Sequence, residues 1–260
     1  MKKQVWAIVT GASSGIGKEF ARIFAAHGTN LVITARSVSA LKNLAQELVK
    51  EYKIKVLVYP ADLSKQNQAI KLVNYVTKHK IIPEYLINNA GFGDFGYFTK
   101  TSWDKEEQMI DLNMKTLTYL TKIYAQLMQK RGHGHIVNVA SGAAFQPGPM
   151  MAVYFATKAY VLHFTEAIAE ELAGSGVVVT ALCPGATQSN FWQVSGKLNG
   201  MNFLPGGMPT AAQVAEYGYS AMMRGDRVAI HGFINRLGAF LVRLAPRTVV
   251  TKLLMHGQQR

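Results

Sequence analysis

The chain has 260 residues, 49% of them apolar and 17% charged, and 28 Lys and Arg against 15 Asp and Glu give it a formal net charge of +13. That size and apolar content describe a packed globule with a large core and exclude a disordered chain. One cysteine, Cys183, excludes an intramolecular disulfide and a cysteine zinc site.

The start, Met1-Lys2-Lys3 with apolar residues to Val9, imitates a signal peptide. Its apolar stretch is too short and runs directly into a glycine turn, so residues 5–10 read as the first strand of a cytoplasmic protein. No run reaches the ~18 apolar residues of a membrane span. The strand leads into Thr10-Gly11-Ala12-Ser13-Ser14-Gly15-Ile16-Gly17, and a helix follows with Ile16, Phe20, Ile23 and Phe24 on one face and Gly28 at its stop. Gly11 permits a tight turn, Gly15 admits a pyrophosphate to the backbone, and Gly17 lets the helix pack on the sheet. Free N–H groups at the helix start then meet phosphate charge.

A second strand over 30–35 ends in Thr34-Ala35-Arg36-Ser37. An acid there would hold a ribose diol and mark NAD. Ala35 leaves room instead, and Arg36 offers a cationic fork suited to a 2′-phosphate, with Ser13 or Ser14 as added donors, which favours NADP(H). Leu41, Leu44, Leu48 and Val49 repeat the helical period. After a third strand over 55–60, Asp62-Leu63 supplies either a hydrogen-bond partner for adenine or a helix N-cap. A fourth strand over 85–88 runs into Asn88-Asn89-Ala90-Gly91, small residues and amides suited to close backbone approach and to tying neighbouring strands.

A long helix is expected over 103–129, then a strand over 135–140 ending at Ser141, then a helix over 154–173. Tyr154 and Lys158 stand at i and i+4, on one helix face. The sixth strand, 177–183, precedes Pro184-Gly185-Ala186-Thr187. Residues 187–210 are rich in Gly, Asn and Pro, with Phe191, Trp192, Met201 and Phe203 scattered through them, and read as a substrate lid or a surface insertion. A last strand is expected over 227–231. This alternation implies right-handed βαβ units in a doubly wound, Rossmann-type parallel sheet of about seven strands with helices on both faces. Residues 1–231 read as one domain, and 232–260 as its amphipathic extension.

Together, TGASSGIG, NNAG, Asn113, Ser141, the Tyr154-x-x-x-Lys158 pair and Pro184-Gly185 resemble the short-chain dehydrogenase/reductase family, in its compact single-domain form. The resemblance covers roughly residues 3–190. It implies that Tyr154 is the general acid or base, its pKa lowered by the Lys158 cation and an oxidised nicotinamide. It implies that Ser141 holds the substrate oxygen, that Lys158 also holds the nicotinamide ribose, and that Asn113 positions a relay water. The implied NADP(H) site takes in Gly11, Ser13, Ser14, Gly15, Ile16, Gly17, Arg36, Asp62, Leu63, Asn89, Ala90, Gly91, Tyr154, Lys158, Pro184, Gly185 and Thr187. No metal is implied, and a homodimer or homotetramer through the helices at 103–129 and 154–173 is. A catalytically silent NADP(H)-binding sensor or scaffold is the alternative reading.

Around the expected carbonyl site, Phe92, Phe95, Ala143, Ala144, Phe145, Pro147, Met150, Met151, Phe191 and Trp192 are apolar. They favour a hydrophobic ketone or aldehyde over a small carboxylate or sugar phosphate. The charge excess is lopsided: residues 224–260 hold seven Lys/Arg and one acid, Asp226. Basic residues punctuate two amphipathic pieces split by Pro246, a pattern suited to an anionic membrane surface or to packing on protein, and not to nucleic acid.

Overall fold

The computed structural model describes residues 4–191, 195–196 and 207–259. Seven short apolar runs become strands: β1 Trp6–Thr10, β2 Asn30–Ala35, β3 Val56–Pro60, β4 Tyr85–Asn88, β5 Gly134–Val139, β6 Val177–Cys183 and β7 Val228–Ile230. They form one parallel sheet in the order β3-β2-β1-β4-β5-β6-β7. Between and after them lie α1 Gly15–Ala26, α2 Val38–Tyr52, α3 Gln66–Lys78, α4 Trp103–Ile110, α5 Leu117–Arg131, α6 Ala152–Glu171, α7 Ala211–Arg224, α8 Phe233–Leu241 and α9 Arg247–Gln258.

Strand periodicity divides the core into two layers. Ala7, Val9, Leu31 and Ile33 pack with Phe20 and Phe24 of α1, Leu41 and Leu48 of α2 and Val214 of α7. Their neighbours Trp6, Ile8 and Val32 point the other way, onto Leu72 of α3 and Leu120 and Tyr124 of α5. Each large apolar side chain so buried contributes about 1.5–3 kcal/mol before the entropy of ordering it. Apolar residues on both faces are what a parallel sheet covered by two helix layers requires.

β1 pairs with β2 on one side and β4 on the other, so the connections leave it in opposite directions. The crevice this opens beyond the strand C-termini is where such sheets take ligands. Buried amides brace it. Asn88 Nδ2 donates to Asn138 Oδ1 and to Thr121 Oγ1, both at 2.9 Å, and Asn138 Nδ2 donates to Thr165 Oγ1 at 3.1 Å. These bonds tie β4, β5, α5 and α6 together.

Several expectations shift by a residue or more. The helix expected over 103–129 is two helices, α4 and α5, joined by a wide π-type turn at Asp111–Thr116 that contains Asn113. The fifth strand closes at Val139, which leaves Ser141 two residues beyond it, and α6 starts two residues before Tyr154. The ends of 187–210 lie side by side, with the Gln188 N–H donating to the Pro209 carbonyl at 3.0 Å. Trp192, Met201, Phe203 and the opening Met1-Lys2-Lys3 lie outside the described residues.

Candidate active site

The glycine turn is held from the end of β4. Thr10 Oγ1 donates to the Ile87 carbonyl at 3.2 Å and accepts from the Asn89 and Ala90 N–H groups, both at 2.9 Å. Asn89 Nδ2 donates to the carbonyls of Thr10 at 3.0 Å and Gly11 at 3.2 Å. That amide stands where a side chain at position 17 would begin: a Cβ on Gly17 would lie 2.4 Å from it and 2.5 Å from the Gly11 oxygen. Gly11 and Gly15 also take positive φ, +67° and +55°, which a Cβ disfavours. Ser14 precedes α1 without a side-chain cap bond, so no side chain of its own occupies the first amides of the helix. A donor-lined cradle at a helix start fits an anionic group.

Ser13, Ser14, Gly15 and Ile16 line a cavity of about 970 Å³. Arg36, Asp62 and Leu63 line the same cavity on one side, and Asn89, Ala90 and Gly91 its floor. Arg36 is exposed and follows β2. Asp62 is not a helix cap: its Oδ1 accepts from the Ser64 N–H at 3.2 Å and the Ser64 hydroxyl at 2.7 Å, and closes a local turn before α3. Leu63 is pinned by its carbonyl, which accepts from Thr116 Oγ1 at 2.6 Å.

Ser141, Tyr154, Lys158, Pro184, Gly185 and Thr187 meet at the other end of the cavity. Tyr154 and Lys158 are 9% and 5% exposed. Burial pushes the Tyr154 phenol up to about 12, and a hydrogen bond with Ser141 pulls against that. Burial brings the Lys158 ammonium down to about 8. Here the structure departs from expectation. Lys158 Nζ donates to the Val139 carbonyl at 2.7 Å and stands 5.9 Å from the centre of the Tyr154 ring, and Tyr154 is raised, not lowered. With desolvation dominant, the phenol keeps its proton at neutral pH, the form needed to donate one.

Two of the residues named from sequence lie outside the cavity wall. Gly17 is buried against the turn, and Asn113 is buried beneath the wall. Asn113 Nδ2 donates to the Phe92 carbonyl and to Thr157 Oγ1, both at 3.1 Å, and its Oδ1 accepts from the Phe92 N–H at 3.3 Å. Its amide hydrogens are thereby committed to protein.

The apolar end of the cavity is lined by Phe92, Ala143, Met151 and Phe191 as expected, and by Phe155 and Leu112 as well. Phe191 packs on Tyr154 with ring centres 5.2 Å apart and planes tilted by 49°. Ala144 and Phe145 turn instead into the core between α6 and β6, and Pro147, Met150 and Phe95 stand off the wall. Among the described residues, Lys158 and Arg36 are the cationic side chains of the lining. Cys183 is fully buried, its thiol pushed up to about 12 by burial, so it is chemically quiet.

Sequence reasoning missed one wall. Ile234, Asn235, Gly238, Ala239 and Val242, in and just after α8, line the cavity, with Gln258 of α9. Asn235 packs so closely on Gly185 that a Cβ there would lie 2.4 Å from its Nδ2. The amphipathic extension is therefore part of the site. The small pair Gly238-Ala239 within an otherwise bulky helix was the available signal.

A family model described as short chain dehydrogenase matches residues 5–198. Among curated proteins, the chain is similar to hydroxysteroid dehydrogenase-like protein 1 of Gallus gallus, 32% identical over 219 residues, which is 84% of this chain and 65% of that protein. The human counterpart, named Inactive hydroxysteroid dehydrogenase-like protein 1, is 33% identical over 181 residues, 69% of this chain and 54% of that one. The chain thus spans between about half and two thirds of the length of these relatives. Among solved structures, a short-chain dehydrogenase from Sphingobium yanoikuyae in complex with NADPH is 32% identical with a TM-score of 0.82, over 91% of this chain and 92% of that one. A bulky-bulky ketone specific alcohol dehydrogenase from Comamonas testosteroni is 31% identical with a TM-score of 0.78, over 92% of each chain.

The glycine turn gives a direct test. Gly17→Ala forces the Asn89 amide or the Gly11 carbonyl to move, and is expected to lower stability by about 1–3 kcal/mol in chemical denaturation. Ala substituted at exposed Gly28, where a Cβ meets nothing within 4 Å, isolates the cost of positive φ alone.

Proposed function

Because the chain belongs to the short-chain dehydrogenase family, we propose that it is an NADP(H)-dependent oxidoreductase interconverting a hydrophobic ketone or aldehyde and its alcohol. One observation carries this reading. Ser141, Tyr154 and Lys158 meet at the apolar end of a cavity whose other end is a glycine cradle beside Arg36.

The residues present fit the cofactor. The turn at 11–17 would hold its pyrophosphate, Arg36 a 2′-phosphate, Asp62 and Leu63 its adenine end, and Pro184, Gly185 and Thr187 the region of its carboxamide. When bound, NADPH supplies the hydride, two electrons and one hydrogen, to the carbonyl carbon. The chain's own groups do the rest. Ser141 donates to the carbonyl oxygen as charge develops there. Tyr154, protonated at neutral pH, gives that oxygen its proton, so hydride and proton together balance the alcohol. Lys158 holds the nicotinamide ribose and bears the positive charge that steadies the resulting phenolate. In oxidation the same proton returns to Tyr154.

Phe92, Met151, Phe155 and Phe191 support an apolar substrate, since among the described residues Lys158 is the cation at that end. Residues 1–231 would form the catalytic unit, with α8 closing one wall and α5 and α6 available for self-association.

Three outcomes test the reading. Tyr154→Phe is expected to cut reduction by about 10²–10⁴-fold with NADPH binding, followed by its fluorescence, nearly intact; unchanged turnover removes the assigned acid. Arg36→Ala should raise the KM for NADPH roughly 10–100-fold and leave that for NADH nearly unmoved. With Lys158 charged below about 8 and neutral above it, kcat/KM for NADPH should fall as pH rises through that value, and the inflection should vanish in Lys158→Met.

A further inference from the structure

Helix α8 has three distinct sides. At 3.6 residues per turn, Phe233, Leu237, Phe240 and Leu241 fall within about 100° of arc, with Ile234 at the edge toward the cavity. This stripe faces outward: Phe233 is 75% exposed and Phe240 56%. Leu244, 69% exposed, extends it into the turn before α9, and Leu253 of α9 is 68% exposed. On the opposite side, Asn235, Gly238 and Ala239 form cavity wall. Arg236 stands on the flank between, and Arg243 follows seven residues on, just past the end of the helix.

The segment that carries the stripe is basic. From Arg227 to the end of the sequence there are six Lys/Arg and no Asp or Glu. Arg227 pairs with Glu170. Arg236, Arg243, Arg247 and Lys252 are exposed, and no described carboxylate forms an ion pair with them. Just past the far end of α9, Gln259 Nε2 donates to the Tyr97 hydroxyl at 3.0 Å, and Phe98, the next residue, is 64% exposed.

An exposed apolar stripe rimmed by one sign of charge marks a binding surface. We infer that it docks on an anionic lipid surface, with Phe233, Leu237, Phe240, Leu244 and Leu253 entering the interface and Arg236, Arg243, Arg247 and Lys252 facing the headgroups. Two other occupants fit less well. A second copy meeting this face about a two-fold axis would bring the basic segment 227–260, which holds no acid, against itself. Nucleic acid would match the arginines but leave the exposed leucines and phenylalanines without apolar partners. Docking would bring the outer side of a cavity wall to the lipid, where an apolar substrate concentrates. The docking itself stands apart from the proposed reaction, and its test uses no turnover.

The full chain is sedimented with vesicles of phosphatidylcholine, alone or with about 25% phosphatidylglycerol, at about 0.05 and 0.5 M salt. Binding is expected to the anionic vesicles at low salt, with loss at high salt and none to neutral vesicles. R243Q/K252Q should weaken it about thirtyfold, as two interfacial charges imply. F240S/L244S should abolish it, with far-UV circular dichroism and thermal midpoint confirming that each variant folds. Absence of binding to anionic vesicles at low salt overturns the inference, as does binding untouched by both variants. It is equally overturned if F240S/L244S dissociates an oligomer in sedimentation velocity while vesicle binding persists, since the face then belongs to a second copy.

Discussion

Everything at the cavity's phosphate-sized end hangs on how closely the ends of β1 and β4 approach one another. Thr10 and Asn89 knit them with five hydrogen bonds between 2.9 and 3.2 Å, three of them to backbone carbonyls and two from backbone amides. The Asn89 amide then occupies the space a side chain at position 17 would need. A turn held this way keeps its amides aimed outward without help from a ligand. Preorganisation of this kind lowers the ordering cost that binding must otherwise overcome. The positive φ of Gly11 and Gly15 follows from the same geometry.

A second constraint is electrostatic. Tyr154 and Lys158 share a buried face of α6, and desolvation moves both toward their neutral forms. The phenol holds its proton more tightly, and the ammonium less so. Lys158 is kept in place by the Val139 carbonyl, at the point where β5 ends and the chain bends toward Ser141. The strand end thus positions two functional groups at once, one by backbone continuation and one by hydrogen bond. An anion in the cavity would favour the charged lysine and, through it, the phenolate.

Much of this was legible from residue order because it rests on local periodicity. Apolar runs covered on both sides announce parallel strands, and all seven fall within one residue of where the pattern places them, β2, β4 and β6 at both ends. Nineteen site residues were named from the sequence, and all but Gly17 and Asn113 line the one cavity. What could not be read depends on contacts across the fold. An amphipathic helix at 233–241 looks the same from sequence whether it lies on solvent or against Gly185. The carbonyl that takes the Lys158 ammonium is nineteen residues away. Whether Phe145 enters a cavity or a core depends on how the short turn after Ser141 is rotated, which no periodicity encodes.

The wide turn at Asp111–Thr116 sets a phase relation between α4 and α5. Such a turn holds one residue more than an α-helical turn, so α4 is rotated by about 100° from where a continuous helix would carry it. That rotation keeps Glu106 and Met109 buried, while Leu117, Leu120 and Tyr124 of α5 stay on the core. Loss of a single residue between 111 and 116 would heal the hydrogen-bond ladder and improve local helix geometry. It would also swing Met109 away from Met151 and Tyr154, with which it packs. The segment is therefore intolerant of a change in length. A shortened variant would keep a good helix and lose its inner wall.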